Sequence, residues 1–388
     1  MSLTKLKASV LAGVTAAGLL GIAISGAGTA SATAKPKIDY KTCASLSACG
    51  GMTALVKAAK AEGQLNTITL PLAGWANEGT IMKDFQKKYG INITDANPNG
   101  SSGDEVTAVS ANQGSRGPDV VDVGLTHAAP YDSLWAPYKV ATWKSIPANL
   151  KDANGLWYAD YAGTVAIACN TQFVSKCPTS IKSLTNPAYK GEVGINNDPN
   201  QAGAAFAAVY AAALANGGSV NNIKPGVDFF ATLKKDGNFN PVVATISTLQ
   251  NGTTPIMLWW DFNLYPAQPK FGGTFNTLKV IYPSDAVYQG YYNQAIAKNA
   301  PDPAAARLWE EYLYSSTGQN LFLGGQVLPV ELPLLVKDKT VNKKFLDELP
   351  SLPKTAKPVS ATLAQQDAAQ QVVLADWASE VGDFGPSY

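Results

Sequence analysis

The feature that most constrains this chain is the alternation of strand and helix patterns over residues 65–123. Strand patterns occur at residues 65–70, 91–94 and 120–123, and helical patterns occur between them at residues 80–89 and 103–113. Because strands separated by helices usually pair in parallel, this order predicts an α/β fold with mostly parallel sheets and crossover helices. The charged fraction of only 15% excludes a disordered chain or a coiled coil.

The amino terminus has the pattern of an export signal. Two lysines precede a short apolar run at residues 10–24, and residues 30–34 contain two A-x-A cleavage motifs. We therefore expect a signal peptide at residues 1–32, a lead-in at 33–51, and a mature protein that is periplasmic or at the cell surface. No cysteine follows the apolar run directly, so we expect no lipoprotein anchor. The rival interpretation, a transmembrane anchor, requires a longer apolar run.

The four cysteines stand in two local pairs. Cys43 and Cys49 are six residues apart, and Cys169 and Cys177 are eight residues apart. In an exported protein this spacing favours two disulfides, Cys43–Cys49 and Cys169–Cys177, although four cysteines allow three pairings. A zinc site is the rival interpretation, but these gaps are not the usual spacings of metal-binding knuckles.

Charge and histidine content argue against several classes of function. The formal net charge is +1 over 388 residues, so the chain lacks the basic surface that a nucleic-acid partner requires. Its one histidine, His127, disfavours a His-based metal site or catalytic system, and the chain has no G-x-S-x-G nucleophile motif. We expect neither enzyme activity nor a cofactor.

Several segments resemble the extracellular solute-binding proteins of ABC transporters. They include ALVKAAKAEGQLN, FQKKYGI and GPDVVDVG in the first half, and APDPAAARLWEEYLYSSTGQNLFLGGQVLP at residues 300–329. The resemblance runs through residues 52–329 and points to the branch that binds polyamines, ferric iron, thiamine or phosphonates. It implies a type II periplasmic-binding-protein fold, with two lobes, a two-strand hinge, and a ligand cleft between the lobes.

The same resemblance implies the lobe boundaries. Residues 155–170 resemble the first strand that crosses between lobes, and residues 278–282 resemble the return strand. We therefore expect lobe 1 to comprise residues 52–163 plus 283–388, and lobe 2 to comprise residues 164–282. Such a receptor is expected to be a monomer that delivers a small solute to the transmembrane subunits of an ABC permease.

Candidate ligand-binding residues are those that closely follow the predicted strands, because ligands bind outside the carboxyl ends of strands in open α/β sheets. Each of them also has an ordinary structural alternative, such as core packing for tryptophan or helix capping for aspartate. The candidates are Trp75, Asn77, Thr126, His127, Asp198, Gln201, Trp259, Trp260, Asp261, Asn263, Asp285, Tyr288 and Tyr291.

The cluster Trp259-Trp260-Asp261 carries the ligand hypothesis. Adjacent strand residues face opposite sides, so one tryptophan is expected to face the core and the other the cleft. Aromatic faces beside one carboxylate suit a cationic amine, and we therefore expect a polyamine-like ligand.

Other ligands and other functions stay open at this stage. The backbone N–H groups of residues 198–203 would suit an anion such as a phosphonate. Adjacent tyrosines at residues 291–292 would suit ferric iron, although iron-binding members of the family carry theirs after the preceding strand. A secreted hydrolase, or a sensory module on the same fold, is the alternative to a transport receptor.

Overall fold

The structure, a computed structural model, describes residues 37–72, 74–111, 117–272, 276–354 and 356–384. The predicted signal peptide at residues 1–32 lies outside these ranges. The described part of the lead-in, residues 37–51, has no regular helix or strand, as expected.

The strands, in chain order, are β1 (Gln64–Ile68), β2 (Asn92–Ala96), β3 (Val120–Gly124), β4 (Trp135–Ala136), β5 (Tyr158–Asn170), β6 (Val193–Ile195), β7 (Phe239–Val243), β8 (Ile256–Trp260), β9 (Leu278–Ile281), β10 (Gln289–Ala297) and β11 (Leu328–Pro329). The α-helices are α1 (Met52–Glu62), α2 (Ile81–Tyr89), α3 (Ser102–Ala111), α4 (Leu125–Ala128), α5 (Gly203–Ala215), α6 (Lys224–Asp236), α7 (Ile246–Asn251), α8 (Asp261–Leu264), α9 (Pro303–Leu313), α10 (Ser316–Gly324), α11 (Leu332–Lys337), α12 (Lys343–Glu348) and α13 (Leu363–Glu380). The elements predicted over residues 65–123 are all present, and their ends move by no more than two residues.

The first part of the chain forms the expected strand–helix–strand unit. β1 and β2 pair in parallel, and α2 connects them with Ile81, Met82 and Phe85 buried along one face. β3 lies beside β1. Asp119, which directly precedes β3, connects the two strands, because its carboxylate accepts hydrogen bonds from the backbone and side-chain amides of Asn66 in β1 at 2.7 and 3.0 Å. The periodic apolar residues of α2 therefore cover the sheet as their spacing predicts.

β5 is the strand around which the sheet is arranged. All 13 of its residues are buried, and it changes partners midway, pairing with β10 up to Thr164 and with β8 from Val165. Gly163 permits a close approach at this point, since a Cβ there would lie 2.4 Å from the Phe262 ring. β5 thus lies within residues 155–170, where the first crossing strand is expected, and it pairs with different strands in its two halves.

The chain returns through β10, and the expectation that residues 278–282 form the return strand is wrong. β9 pairs with the second half of β5, whereas β10 runs antiparallel to both the first half of β5 and β3. The sequence pattern concealed β10 because it buries polar side chains. Gln294 donates to the Asp160 carboxylate at 2.8 Å, and Asn293 donates to the Val123 carbonyl at 3.2 Å.

The second part of the sheet is again parallel where helices connect the strands. β6 pairs in parallel with both β7 and β8, while α5, α6 and α7 lie in the connections. α5 is rich in alanine and almost entirely buried, so it packs closely against α6 and the sheet. The α/β class is confirmed: parallel pairs belong to the β–α–β units, and antiparallel pairs involve the crossing strands β5 and β10.

The carboxyl-terminal helix α13 packs against the second part of the chain. Trp377 is fully buried, with its ring centroid 5.4 Å from Phe230 and 6.4 Å from Phe239. Glu380 also accepts from Lys224 at 2.7 Å. These contacts join α13 to residues on the other side of the predicted lobe boundary.

The segment at residues 300–329 has the predicted form. Pro303 occupies the first turn of α9, where its missing N–H costs nothing. Ser315 caps α10 by accepting from the Gly318 N–H at 3.1 Å, and α10 ends at Gly324. This segment packs against α1 and α2 and is part of the scaffold.

Both predicted disulfides are present. Cys43 pairs with Cys49, and Cys169 pairs with Cys177, with Cα–Cα distances of 5.3 and 5.8 Å. In the part of the chain that the structure describes, no helix has the length and hydropathy of a membrane span.

Candidate functional site

A cavity of about 250 Å³ lies at the carboxyl ends of the parallel strands. Its lining comes from the segments that follow β1, β2, β6, β7 and β8, together with Asp122, Tyr161 and Tyr292. The strand ends of both parts of the sheet therefore converge on one space, as expected for a ligand site in an open α/β fold.

The first wall is the turn that leads into α3. Ser102 accepts from the Gly124 N–H at 3.1 Å, which holds the start of α3 against the end of β3. Thr69 lies in this wall at φ 56°, a conformation that a β-branched residue rarely adopts. Gly100 packs against it so closely that a Cβ there would lie 2.4 Å from Thr69 Cγ2. The backbone of this wall is strained, which is typical of functional sites.

The opposite wall contains the start of α5. Ala202 and Gly203 line the cavity, and the N-cap residue of this 13-residue helix, Ala202, makes no side-chain capping hydrogen bond. The first N–H groups of a helix have no partner within the helix and carry a partial positive charge. By contrast, α7 begins beside them with its end closed, because Thr245 and Thr248 form a reciprocal capping box.

Two acidic side chains form the floor of the cavity. Glu105 Oε1 accepts from the Asp122 backbone N–H at 3.2 Å, and Asp122 Oδ2 accepts from the Tyr161 hydroxyl at 2.6 Å. Burial raises the pKa of Glu105 well above its usual range. Burial, and next the negative charge of Asp160, does the same to the pKa of Asp122.

An aromatic group borders this floor. Tyr161 stacks on Tyr292 with ring centroids 5.6 Å apart, and Phe262 meets Tyr161 edge-on at 5.1 Å. Trp260 donates from Nε1 to the Tyr292 hydroxyl at 3.3 Å. Trp259 is half-buried and presents its indole to the cavity. The rings make one side of the cavity flat and apolar.

The two walls contact each other at the rim. The Gly103 N–H donates to the Gln201 carbonyl at 3.0 Å. Lys270, which lines the cavity, pairs at 2.7 Å with Glu78, which lies in the loop between β1 and α2. Segments far apart in the sequence thus meet across the opening.

Comparison with known proteins assigns the family. A family model described as bacterial extracellular solute-binding protein matches residues 120–354, which is more than half of the chain. The chain belongs to this family. Its members are binding proteins of ABC importers.

Solved structures of similar fold are described with different ligands in their names. The chain is similar to the periplasmic binding protein AfuA from Actinobacillus pleuropneumoniae, solved with fructose-6-phosphate bound, at 19% identity and a TM-score of 0.65, covering 82% of this chain and 98% of that one. It is similar to a ferric binding protein from Campylobacter jejuni at 15% identity and a TM-score of 0.60, covering 82% and 99%. A protein described as a spermidine/putrescine ABC transporter from Listeria monocytogenes has 14% identity and a TM-score of 0.56, and the match covers 81% of this chain and 98% of that one. The type II fold is confirmed. At these low identities the comparison supports the fold and does not identify the ligand.

Two of the predicted ligand residues of this solute-binding protein line the cavity, Trp259 and Asn263. The expectation about the tryptophan pair is confirmed. Trp259 faces the cavity, whereas Trp260 is buried against Phe262 and Tyr292.

Asp261, on which the amine hypothesis depended, does not line the cavity. Its carboxylate accepts from the backbone N–H groups of Thr164 and Phe262 at 3.0 and 2.8 Å, and from the Tyr282 hydroxyl at 2.9 Å. Burial raises its pKa to about 6. The carboxylate is therefore engaged by donors from β5, from α8 and from the residue after β9.

The two predicted ligand residues in the loop after β1 contact other parts of the protein and do not line the cavity. Trp75 takes the core-packing alternative: it is fully buried, with its ring centroid 4.9 Å from Phe322 and 5.6 Å from Tyr161. Asn77 donates to the Leu70 carbonyl and to the Asp95 carboxylate. Both side chains hold the loop in place, and other residues of the loop, including Pro71, line the cavity.

Thr126 and His127 are also placed away from the cavity. Both are buried, and the Thr126 hydroxyl lies 3.1 Å from His127 Nδ1. Burial lowers the pKa of His127 to about 4, so the imidazole is neutral at physiological pH. The ring stacks on Tyr131 at 6.5 Å, which is a packing role.

The two predicted ligand residues before α5 have different roles, one in a turn and the other at the rim of the cavity. Asp198 accepts from the Asn200 N–H at 2.7 Å and organises the turn. The exposed side chain of Gln201 lies against Gly103 at the rim. Neither Asp198 nor Gln201 lines the cavity, whereas Gly203, which follows them, does.

The last predicted group is structural as well. The Asp285 carboxylate accepts from the backbone N–H groups of Ile181 and Lys182 at 2.9 and 3.0 Å. Tyr288 is buried and stacks on Tyr210 at 4.8 Å. Tyr291 is half-buried outside this cavity, and only its neighbour at position 292 reaches the lining.

Sequence reasoning missed most of the cavity. The Gly100–Gly103 turn (GSSG) between a strand and a helix pattern is a recognisable signal for Ser101 and Ser102. No local pattern identifies Glu105 or Lys270, because one lies within a helix and the other follows a turn with no motif.

Proposed function

We propose that this solute-binding protein is the exported receptor of an ABC importer and that its cavity binds a small anionic solute, best represented by a phosphate monoester. The observation that carries the proposal is the uncapped amino end of α5, which opens on the cavity at Gly203. A helix of this length with free N–H groups attracts a phosphate group.

Other lining groups support the same ligand class. Lys270 supplies a positive charge at the rim, and Ser101 and Ser102 bring hydroxyl groups on the facing wall. Trp259 and Tyr292 offer apolar faces for the body of the solute. The solute bound to the structurally similar AfuA has this chemistry, with a phosphate on a hydroxyl-bearing body.

The cationic amine expected from the sequence is the competing ligand. It depended on Asp261, whose oxygens are engaged by three protein donors. The two acids that line the cavity are buried and have raised pKa values, so they offer little negative charge to an amine.

The receptor mechanism requires two lobes that move relative to each other. We propose that residues 52–163 with 283–354, and residues 164–282, form these lobes, and that β5 and β10 form the hinge. Closure brings both walls onto the solute, so affinity depends on the open–closed equilibrium. An exported monomer that hands the solute to permease subunits completes the proposal.

A ligand panel tests the ligand class. Mature protein is heated with fructose 6-phosphate, glycerol 3-phosphate, inorganic phosphate, spermidine, putrescine or ferric citrate. At a concentration of 100 Kd, a ligand stabilises the fold by about 2.7 kcal/mol. For roughly 350 residues, this corresponds to a Tm increase of about 4 °C. We expect the increase with a phosphate ester, and an increase with a polyamine alone would contradict the proposal.

A further inference from the structure

Two carboxyl groups in the cavity floor have no cationic partner. The exposed fraction is 1% for Glu105 and 4% for Asp122. Their hydrogen bonds come from a backbone N–H and from hydroxyl groups, including those of Tyr161 and Thr69. Among the residues that the structure describes, no ion pair includes either acid.

The charged groups that face this floor are themselves acidic. Asp95 of β2 and Asp104 of α3 raise the pKa of Glu105, while Asp160 of β5, Glu105 and Glu310 of α9 raise the pKa of Asp122. The tyrosines nearest to them, at positions 161 and 292, have pKa values raised by burial and stay neutral. Several unpaired carboxylates cannot stay ionised together in a buried site, because desolvation and mutual repulsion both favour the neutral form.

A second, independent observation concerns Asp122. Its Oδ1 is buried and has no hydrogen-bond partner among the described residues, while Oδ2 is engaged by Tyr161. A buried carboxylate oxygen that is ionised and unpartnered is costly, whereas a protonated carboxyl places its proton there at lower cost. The strained backbone at Thr69, which bonds to Glu105, shows that the fold maintains this wall against local preference.

We propose that Glu105 and Asp122 each keep a proton in the folded protein and thereby set the charge that the cavity presents to its solute. Among the described residues that line the cavity, Lys270 is the one that carries a positive charge. With both acids ionised the lining would carry a formal charge of −1, and with both protonated it carries +1. The selectivity for anions rests on the proposed function, whereas the protonation itself does not depend on any ligand.

The pH dependence of thermal stability tests the protonation without a ligand. A carboxyl of this kind has a higher pKa in the folded protein than its unfolded value of about 4. Its contribution to the free energy of unfolding is complete below the unfolded pKa and is lost as the pH rises through the folded pKa. Glu105→Gln and Asp122→Asn mimic the protonated forms and remove this loss. We expect the Tm of each variant relative to the wild type to increase by roughly 2 °C per pH unit from about pH 5 upward, until the pH passes the folded-state pKa of the replaced acid.

The matched control is Glu348→Gln, which removes an exposed carboxylate far from the cavity. Its Tm difference from the wild type should stay constant over the same range. The proposal is overturned if the Glu105→Gln difference is flat or falls with rising pH. Infrared difference spectra at pH 7, wild type minus Glu105→Gln and wild type minus Asp122→Asn, provide a second readout that does not depend on melting. Each should contain the carbonyl stretch of the protonated carboxylic acid that the variant lacks, and its absence would also overturn the proposal.

Two ligand probes then separate this inference from the proposed function. If the wild type binds spermidine and not fructose 6-phosphate, the proposed function fails. The pH series and the infrared band still decide the protonation in that case.

Discussion

The charge pair at the rim of the cavity permits a test in which the sign of the effect reports the charge of the solute. Lys270 Nζ lies 2.7 Å from Glu78 Oε1, and the two side chains are 38% and 51% exposed. Lys270 lines the cavity, while Glu78 lies in the loop between β1 and α2. Lys270→Gln and Glu78→Gln therefore change the local charge in opposite directions with little change in shape.

The size of the effect follows from Coulomb's law. A unit charge about 5 Å from an anion, at an effective dielectric constant of roughly 40 for a half-exposed site, contributes about 1.7 kcal/mol. Lys270→Gln should therefore weaken the binding of fructose 6-phosphate by roughly 20-fold. Glu78→Gln releases Lys270 from an exposed ion pair worth about 0.2–1 kcal/mol, so it should tighten binding by up to about fivefold.

Isothermal titration calorimetry at low and high NaCl concentrations measures both variants. Salt screens exposed charges, so the difference between the variants should shrink at high salt. Lys344→Gln, which removes an exposed lysine of α12, is the control and should leave the Kd unchanged. With spermidine as the ligand, both signs would reverse.

Two results would refute this reasoning. One is a Lys270→Gln variant that binds fructose 6-phosphate as tightly as the wild type does. The other is a Glu78→Gln variant that binds it more weakly, since the carboxylate would then contribute to binding.

Three further predictions concern the scaffold. Arg307 is fully buried and donates to three backbone carbonyls. Arg307→Met should therefore reduce the free energy of unfolding by about 3 kcal/mol and lower the calorimetric Tm by about 4 °C. An unchanged Tm would contradict this. Asp261→Ala removes the acceptor of the Thr164 N–H and the Tyr282 hydroxyl, so it should lower the Tm of the ligand-free protein by a similar amount. If it abolishes ligand binding with an unchanged Tm, Asp261 is a ligand residue after all. Thiol titration of the unreduced, unfolded protein should find almost no free thiol, and two or more would contradict the disulfides.

Local patterns accounted for most of the secondary structure. The alternation of polar and apolar residues in α2 and β1, and the proline and serine signals around α9 and α10, act over a few residues and can be read without the fold. The same local reading failed for β10, where Gln294 and Asn293 are buried but satisfied by partners far away in the sequence.

Local patterns identified the cavity only in part. Trp259 lies near the end of β8 and Asn263 follows that strand, which placed both near the carboxyl ends of the sheet, where the cavity lies. Trp75 and Asp261 follow strands as well, but one packs into the core and the other is held by protein donors. Position after a strand is a local property, whereas the direction and the partners of a side chain are not.

The sequence by itself thus determined the fold class, favoured the disulfide pairs that the structure contains, and carried the resemblance to the family. The tertiary structure alone decided which side chains meet in the cavity and what charge they present. Asp122 and Tyr161 are 39 residues apart, and Lys270 and Glu78 are 192 residues apart, yet each pair is in hydrogen-bond contact. The physical reason is that protonation depends on desolvation and on neighbouring charge, and both arise only when distant segments pack together.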